Sequence, residues 1–223
     1  MKITVCDKEY NLEDKVSNIL DALVYIKKYK NHTLAFRSGC KSGVCGSCAI
    51  RVNGVEQLAC KTKVNNNDTV EPLKNSKVIK DLIVNLDMQE KFLIQSKAFL
   101  EQNSYTTITQ DDEKLIDKES NCILCNSCFS SCPVYEYDKN FKGPFALTRV
   151  YRYIEDKKES SKKQKLDTIQ QSGIWSCTLC GNCNMVCPSG IDIKGDIIKL
   201  RNISIQNGYS DPTFNNSFGL DFL

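Results

Sequence analysis

The chain has 223 residues, enough for one large domain or two small ones. With 41% hydrophobic and 26% charged residues, its composition is that of a globular protein and excludes a disordered or fibrous one. The net charge is only +3, with acidic and basic residues interspersed, which argues against a dedicated nucleic-acid binder because such proteins concentrate Lys and Arg on one face.

Residues 1–96 carry the pattern of a small mixed sheet covered by one helix. The helix is predicted from Asn18 to Lys30 with Ser17 as its N-cap, because apolar residues recur there at helical spacing. Asn53–Gly54 is a strong hairpin-turn signal between two short β-rich runs. The predicted strands are Lys2–Val5, Thr33–Phe36, Ala49–Val52, Val55–Leu58 and Thr69–Leu73. This order predicts a β-grasp domain.

Residues 97–223 are predicted to form a mostly helical domain, joined to the first by a helix-prone stretch from Val78 to Phe99. Pro144 suits the first turn of a helix that buries Phe145, Val150 and Ile154. Further helices are predicted over Ser161–Ile169, facing solvent, and over Asp192–Ile205. The tail ends in Phe218, Leu220, Phe222 and Leu223, which we expect to dock on another surface. The predicted fold class is therefore α+β.

Thirteen cysteines stand in tight groups, an odd number that does not fit the disulfide scaffold of a small secreted protein. No apolar signal segment opens the chain, and no run is long enough to span a bilayer. We therefore expect a cytoplasmic protein in a reducing environment, which reaches the inner face of a membrane only through partners.

The first cysteine group has the C-x4-C-x2-C spacing, followed by a distant cysteine, that is typical of a plant-type 2Fe–2S site. Gly39, Gly43 and Gly46 let the backbone curl around inorganic sulfide. Zinc sites usually pair C-x2-C with a second C-x2-C or with a histidine pair, and neither occurs here. The predicted 2Fe–2S ligands are Cys40, Cys45, Cys48 and Cys60.

The second feature is an internal repeat of C-x2-C-x2-C-x3-C-P, the run of bacterial two-cluster ferredoxins, in which the fourth cysteine ligates the other cluster. Pro133 and Pro188 end the two runs. A pair of zinc ribbons is the competing interpretation, but the triplet crowds too many thiolates for tetrahedral zinc. Crossed ligation predicts one 4Fe–4S cluster on Cys122, Cys125, Cys128 and Cys187, and another on Cys132, Cys177, Cys180 and Cys183.

Structural roles are expected for the remaining candidate residues. Cys6 is interpreted as a small buried residue and His32, the single histidine, as structural. Four aromatic residues after the first run are expected to form core and to shield a cluster from water; they are Tyr135, Tyr137, Phe141 and Phe145. No catalytic residues and no dinucleotide-binding glycine motif are recognisable, so one-electron transfer is the predicted chemistry and any flavin must lie elsewhere.

The segments Phe36–Cys40, Val44–Ala49, Leu58–Cys60, Val70–Leu73 and Cys122–Cys132 resemble the iron–sulfur subunits of succinate dehydrogenases and fumarate reductases. The resemblance covers nearly the whole chain, to about Leu200. It implies an oxidoreductase subunit with no substrate-converting site of its own. Such a subunit relays electrons between a partner flavoprotein that carries FAD and acts on a dicarboxylate, and a second redox partner.

Three positions depart from the family pattern. Cys180 stands where many members lack a cysteine and carry a 3Fe–4S cluster, so a 4Fe–4S cluster is favoured, with 3Fe–4S the alternative if Cys180 does not ligate. Tyr137 and Thr178 replace a Trp and a His associated with quinone binding. The departures resemble thiol-linked fumarate reductases and members whose partner is like heterodisulfide reductase. The distal partner is thus a membrane anchor or such a cysteine-rich subunit; a heterodisulfide-reductase-like complex or a stand-alone multi-cluster ferredoxin is the alternative.

Overall fold

A computed structural model describes residues 1–13 and 16–212. The chain forms two compact units that take up alternating segments of the sequence. The first unit comprises 1–90, 121–132 and 182–191; the second comprises 91–120, 133–181 and the residues from 192 onward. The predicted domain boundary at residue 96 stays a prediction, and the predicted docking of Phe218, Leu220, Phe222 and Leu223 lies outside the described residues.

The first unit is built on a five-stranded sheet covered by helix α1, Ile19–Tyr29. The strands are β1 Lys2–Val5, β2 Lys8–Asn11, β3 Ala49–Val52, β4 Val55–Leu58 and β5 Asp68–Glu71. Their order in the sheet is β2-β1-β5-β3-β4, with β1 parallel to β5 and the other pairs antiparallel. This is the predicted β-grasp arrangement.

Helix α1 lays one apolar face on the sheet, and the strands meet it with alternating inward side chains. Ile3 and Val5 of β1 are buried against Ile19, Leu23 and Ile26 of the helix. The N-cap is Asn18 rather than the predicted Ser17, because the Asn18 side chain accepts a hydrogen bond from the backbone N–H of Asp21 at 2.9 Å.

Two predictions for the first half were wrong. Thr33–Phe36 is not a strand; Ala35 instead donates its N–H to the Asp81 carboxylate at 2.8 Å and accepts from the N–H of Leu82. The stretch from Val78 to Phe99, predicted to be helix-prone, begins instead with a hairpin of β6, Val78–Lys80, and β7, Ile83–Val84. Helix α2 covers only Asp87–Gln95. Asp81 takes a positive φ of 46° in the turn, which breaks helical periodicity.

The second unit is helical, as predicted, and is centred on the packing of α6, Pro144–Glu155, against α9, Ile193–Gln206. Pro144 opens α6 as expected, and Phe145, Val150 and Ile154 are buried. The further helices of this unit are α3 Gln110–Lys114, α4 Asp117–Ser120 and α7 Lys162–Thr168, and 3-10 turns lie at Pro133–Glu136 and Ile174–Ser176. The short helices α5, Ser127–Ser130, and α8, Asn182–Met185, belong to the first unit.

Helix α7 does not simply face solvent, as its polar sequence suggested. Lys165 is fully buried and Leu166 is nearly so, because Lys165 pairs with a buried carboxylate described below. Within residues 1–13 and 16–212, no helix has both the length and the apolar character required to cross a membrane.

Candidate iron–sulfur sites

The predicted 2Fe–2S loop lies at one end of the β3–β4 hairpin. Cys48 directly precedes β3, and Cys60 follows β4 with only Ala59 between them, so antiparallel pairing brings these two cysteines together. Their sulfur atoms lie 3.4 Å apart, and both residues are buried. Cys40 and Cys45 are exposed on the loop that precedes the hairpin.

Backbone N–H groups of that loop point at sulfur. The Sγ atom of Cys40 accepts from the N–H groups of Ser42, Val44 and Cys45 at 3.3–3.4 Å, and the Cys40 N–H donates to Sγ of Cys45 at 3.4 Å. The Ser42 hydroxyl and these N–H groups lower the pKa of Cys40 to about 5. Hydrogen bonds that favour the thiolate are what a cluster ligand requires, so the donor set fits a 2Fe–2S cluster.

The buried side of the loop behaves differently. Desolvation raises the pKa of the Cys48 thiol to about 11. The free thiol therefore keeps its proton at neutral pH, and bound iron would be needed to hold it as a thiolate. Gly46 has a φ of +71°, and a Cβ atom there would meet Cβ of Cys125 at 2.9 Å. The 2Fe–2S loop therefore lies directly against the first ferredoxin-type run.

The first run and the end of the second come together within the first unit. The pKa of Cys128 is raised well above that of an ordinary thiol by burial, and after that by the nearby thiols of Cys122, Cys125, Cys183 and Cys187. Sγ of Cys187 also accepts from the N–H of Ile191 at 3.4 Å. The structure thus gathers all four cysteines of the predicted first 4Fe–4S set, although Cys122 and Cys187 are far apart in sequence.

The four cysteines predicted to hold the second 4Fe–4S cluster fall into two pairs, one in each compact unit. Cys132 and Cys183 are buried in the first unit, and Cys177 and Cys180 lie close together in the second. Desolvation raises the pKa of Cys177, whose Sγ accepts from the N–H of Leu179 at 3.4 Å. Assignment of a cluster to these four residues stays a prediction.

Several residues that fasten the first run carry no sequence signal of their own. Asn75, with a φ of 63°, donates from its side-chain amide to the backbone oxygens of Phe129, Ser130 and Cys132 at 2.9–3.2 Å. The Ser130 hydroxyl donates to the buried carboxylate of Glu56 on β4 at 2.7 Å. These bonds hold the first run against the sheet.

The residues predicted to be structural are placed as follows. Burial raises the pKa of Cys6 to about 11, and Nδ1 of His32 lies 3.1 Å from the backbone oxygen of Lys27. Tyr135 is 1% exposed, but Tyr137 is 86% exposed and does not belong to the core. Phe141 and Phe145 are buried, as predicted.

In the part of the chain that the structure describes, no three or more His, Cys, Asp or Glu side chains form a group suited to one metal ion. An iron–sulfur cluster places several irons and sulfides between its thiolates, so its ligands need not converge on a single point.

Comparison with protein families matches two domains. Residues 4–92 match the family described as a 2Fe-2S iron-sulfur cluster binding domain, and residues 118–191 match the 4Fe-4S dicluster domain. The Mycobacterium smegmatis Sdh1 complex in the apo form contains a chain of the same fold, with a TM-score of 0.82 and 23% identity over 95% of this chain and 98% of that one.

Curated relatives include longer proteins and proteins of similar size. An uncharacterized iron–sulfur protein of Methanococcus maripaludis is 36% identical over 86% of this chain, and a fumarate reductase (CoM/CoB) subunit of Methanothermobacter marburgensis is 34% identical over 90%. The chain spans only about two fifths of the length of these relatives, 40% and 41%.

The fumarate reductase iron-sulfur subunit of Escherichia coli O6:H1 is 35% identical over 80% of this chain and 78% of its own length. Identity of this extent, across both cysteine-bearing regions, confirms the resemblance seen in the sequence. The chain belongs to the family of fumarate reductase and succinate dehydrogenase iron–sulfur subunits.

Proposed function

We propose that this chain is the electron-transfer subunit of a succinate dehydrogenase or fumarate reductase type complex. It relays electrons between a subunit that carries FAD and acts on a dicarboxylate, and a second redox partner. The observation that carries the proposal is the set of twelve cysteines in cluster spacing on a chain that is 35% identical to a fumarate reductase iron–sulfur subunit. Iron–sulfur clusters, when bound, accept and pass single electrons.

The proposed ligands follow the sequence assignment. A 2Fe–2S cluster is held by Cys40, Cys45, Cys48 and Cys60; a 4Fe–4S cluster by Cys122, Cys125, Cys128 and Cys187; and a further 4Fe–4S cluster, or a 3Fe–4S cluster without Cys180, by Cys132, Cys177, Cys180 and Cys183. The thiol environments of the first two sets, described above, support this assignment.

Within the first unit, the two cysteine groups proposed to hold the first two clusters are held against each other. Gly46 abuts Cys125, and the hydrogen bonds made by Glu56 and Asn75 fasten the first run to the sheet. A functional site needs its groups held rigidly in place, and these residues would supply that rigidity to the relay.

A groove beside the 2Fe–2S loop is suited to the flavoprotein partner. Gly43 and Lys61 line it from the loop side, and Met185 and Val186 from the second run. Met185 is 86% exposed and Val44, next to Gly43, is 67% exposed. Apolar side chains exposed this far beside two cluster loops favour a partner that covers them.

For the distal partner we favour a cysteine-rich subunit that handles a thiol–disulfide pair over a quinone-reactive membrane anchor. Tyr137 and Thr178 replace the residues associated with quinone binding, and Cys180 adds a thiolate. The relative from Methanothermobacter marburgensis, named a fumarate reductase (CoM/CoB), supports this preference. We propose that the complex lies in the cytoplasm and reaches a membrane only through partners.

The test is purification of the tagged chain at native expression without oxygen. We expect an FAD-containing subunit to accompany it, and iron with acid-labile sulfide in the amounts of three clusters. Recovery of the iron-loaded chain alone, fully stable, would instead indicate a free ferredoxin. A colourless, zinc-containing sample would rule out electron transfer. A quinone analogue that oxidises the reduced complex, with no reaction toward a disulfide, would overturn the choice of distal partner.

A further inference from the structure

A small cavity in the first unit lies between the 2Fe–2S loop and the first ferredoxin-type run. Its volume is about 220 Å³, and the residues that line it belong to that unit. Cys45 and Gly46 line it from the loop, and Leu124, Cys125 and Asn126 line it from the run. The two cysteine groups that are proposed to hold the first two clusters therefore face the same cavity.

Arg37 brings a fixed positive charge to this cavity. Among the described residues of the lining, it is the only one with an ionic side chain apart from the cysteines. Its Nη2 atom donates to the backbone oxygen of Val84, itself a lining residue, at 3.0 Å. Most of the other lining side chains are apolar, among them Ile50, Leu82 and Leu86. A charge in such surroundings is poorly screened by water and acts strongly on a neighbouring charge.

In the part of the chain that the structure describes, no carboxylate forms an ion pair with Arg37. The arginine on strand β3 differs, because Arg51 pairs with Glu56 at 3.7 Å and with Glu71 at 3.4 Å. The Asp81 carboxylate accepts from the backbone N–H two residues before Arg37, at 2.8 Å, and makes no ion pair with the guanidinium. The described polypeptide thus leaves this half-buried positive charge uncompensated.

We propose that Arg37 raises the reduction potentials of the two clusters that flank this cavity, by favouring their reduced forms. The inference rests on the ligand assignment of the proposed function. Reduction adds one electron, which a redox partner supplies, and no bond forms or breaks. The guanidinium attracts the added negative charge. Because both cysteine groups face it, both potentials rise, and the charge eases the entry of electrons without opposing transfer from one cluster to the next.

The test uses the full chain, loaded with its clusters and in its native complex. The clusters are titrated with dithionite and redox mediators without oxygen, and their reduced signals are followed by electron paramagnetic resonance. In Arg37→Gln, we expect the ratio of reduced to oxidised cluster at a fixed potential to fall about tenfold for both clusters. This corresponds to midpoint potentials about 59 mV lower. Arg37→Lys keeps the charge, so its potentials should lie closer to those of the wild type.

Lys80→Gln is the matched control, because it removes the same charge from an exposed side chain of the same unit. Water and salt screen such a charge, so both potentials should stay at their wild-type values. Wild-type potentials in Arg37→Gln would overturn the proposal. Equal shifts in Arg37→Gln and Arg37→Lys would also overturn it, because the shape of the side chain rather than its charge would then be responsible.

Arg37→His covers the case in which the glutamine variant does not hold its clusters. The imidazole is charged at about pH 5.5 and neutral at about pH 8, so the potentials should fall over that range more than in the wild type. Equal pH dependence in the two proteins, or loss of both clusters from every Arg37 variant, would assign Arg37 to the fold alone and overturn the proposal. A wild-type chain that binds no clusters would instead contradict the proposed function, so the two failures are distinguishable.

Discussion

A buried lysine fixes the segment that leads into the helical unit. Nζ of Lys165 lies 3.1 Å from the carboxylate of Glu159, with both side chains fully buried, and donates to the backbone oxygens of Lys97 and Phe99 at 2.8 and 2.6 Å. Glu159 in turn accepts from the N–H groups of Glu101 and Ser161. Removing one member of such a pair leaves an uncompensated charge in a dry site.

We therefore expect Lys165→Met to destabilise the protein by about 3 kcal/mol. Thermal unfolding of the holoprotein followed by circular dichroism measures this, at about 2–4 °C per kcal/mol for a chain of this size. Lys163→Met is the control, because Lys163 is exposed on the same helix and its loss should change little. Equal melting temperatures for the two variants would show that the buried pair of Lys165 and Glu159 makes no net contribution to the stability of the protein.

A second buried group, the Asp196 carboxyl, makes the stability of the fold depend on pH. Desolvation, and the neighbouring Glu119 carboxyl, raise the pKa of Asp196 to about 7, although the Thr148 hydroxyl donates to it and Lys199 lies 4.0 Å away. A carboxyl whose folded pKa exceeds its unfolded value near 4 binds more protons when folded. Its contribution to stability is thus greatest in acid and is lost as the pH rises from about 4 to 7.

Asp196→Asn removes this titration while keeping an acceptor for Thr148 and adding a donor for Glu119. We expect the variant to melt higher than wild type at pH 8 by several degrees, with the difference shrinking toward pH 5. Glu113→Gln, which changes an exposed carboxylate on α3, is the control. Its melting temperature should change with pH in the same way as that of the wild type between pH 5 and pH 8. A parallel curve for Asp196→Asn as well would show that the buried carboxyl is ionised at no cost.

At the scale of elements, the spacing of cysteines predicted that Cys122, Cys125, Cys128 and Cys187 lie near one another, but not which residues hold them there. The first run is held by Asn75 and Glu56, which look like ordinary loop and strand residues because their partners are backbone oxygens and a serine hydroxyl far away in sequence. The missed hairpin at Val78–Val84 has the same cause. Its local pattern resembles a helix, and pairing that depends on one positive φ at Asp81 overrides that preference.

The contact of the 2Fe–2S loop with the first run predicts a coupled defect. Gly46→Ala forces a Cβ against Cys125 and the backbone oxygen of Ile123, at a φ of +71°. We expect the reduced 2Fe–2S signal in electron paramagnetic resonance to fall by at least half, with altered spectra of the adjacent 4Fe–4S cluster. Gly208→Ala separates strain from contact, since Gly208 has a φ of +85° but nothing within 4 Å. Matching losses in both variants would assign the effect to backbone strain alone.

At the scale of the whole molecule, the compact units are not the two halves of the sequence. The first unit includes residues 121–132, which hold the whole first cysteine run, and 182–191, which hold only the last two cysteines of the second run. The periodicity of apolar residues depends on local structure, so it predicted a sheet domain followed by a helical one. It carried no information about which distant segments pack together. The crossed ligand assignment was the part of the sequence that pointed to this interleaving, because it joins Cys187 to the run that begins at Cys122.

The predicted crossing would make the fold depend on its metal. If Cys187 and Cys122 ligate one cluster, Cys187→Ser should remove about four irons per chain and free the segment between the runs to unfold locally. We expect limited trypsin digestion to cut within residues 133–181 in this variant, and not in wild type, while the 2Fe–2S signal persists. Cys6→Ser, a change outside the predicted ligands, should keep both the iron content and the resistance to trypsin. If Cys187→Ser behaves like Cys6→Ser, the two runs are not crossed, and the helical unit must be held together by its apolar packing alone.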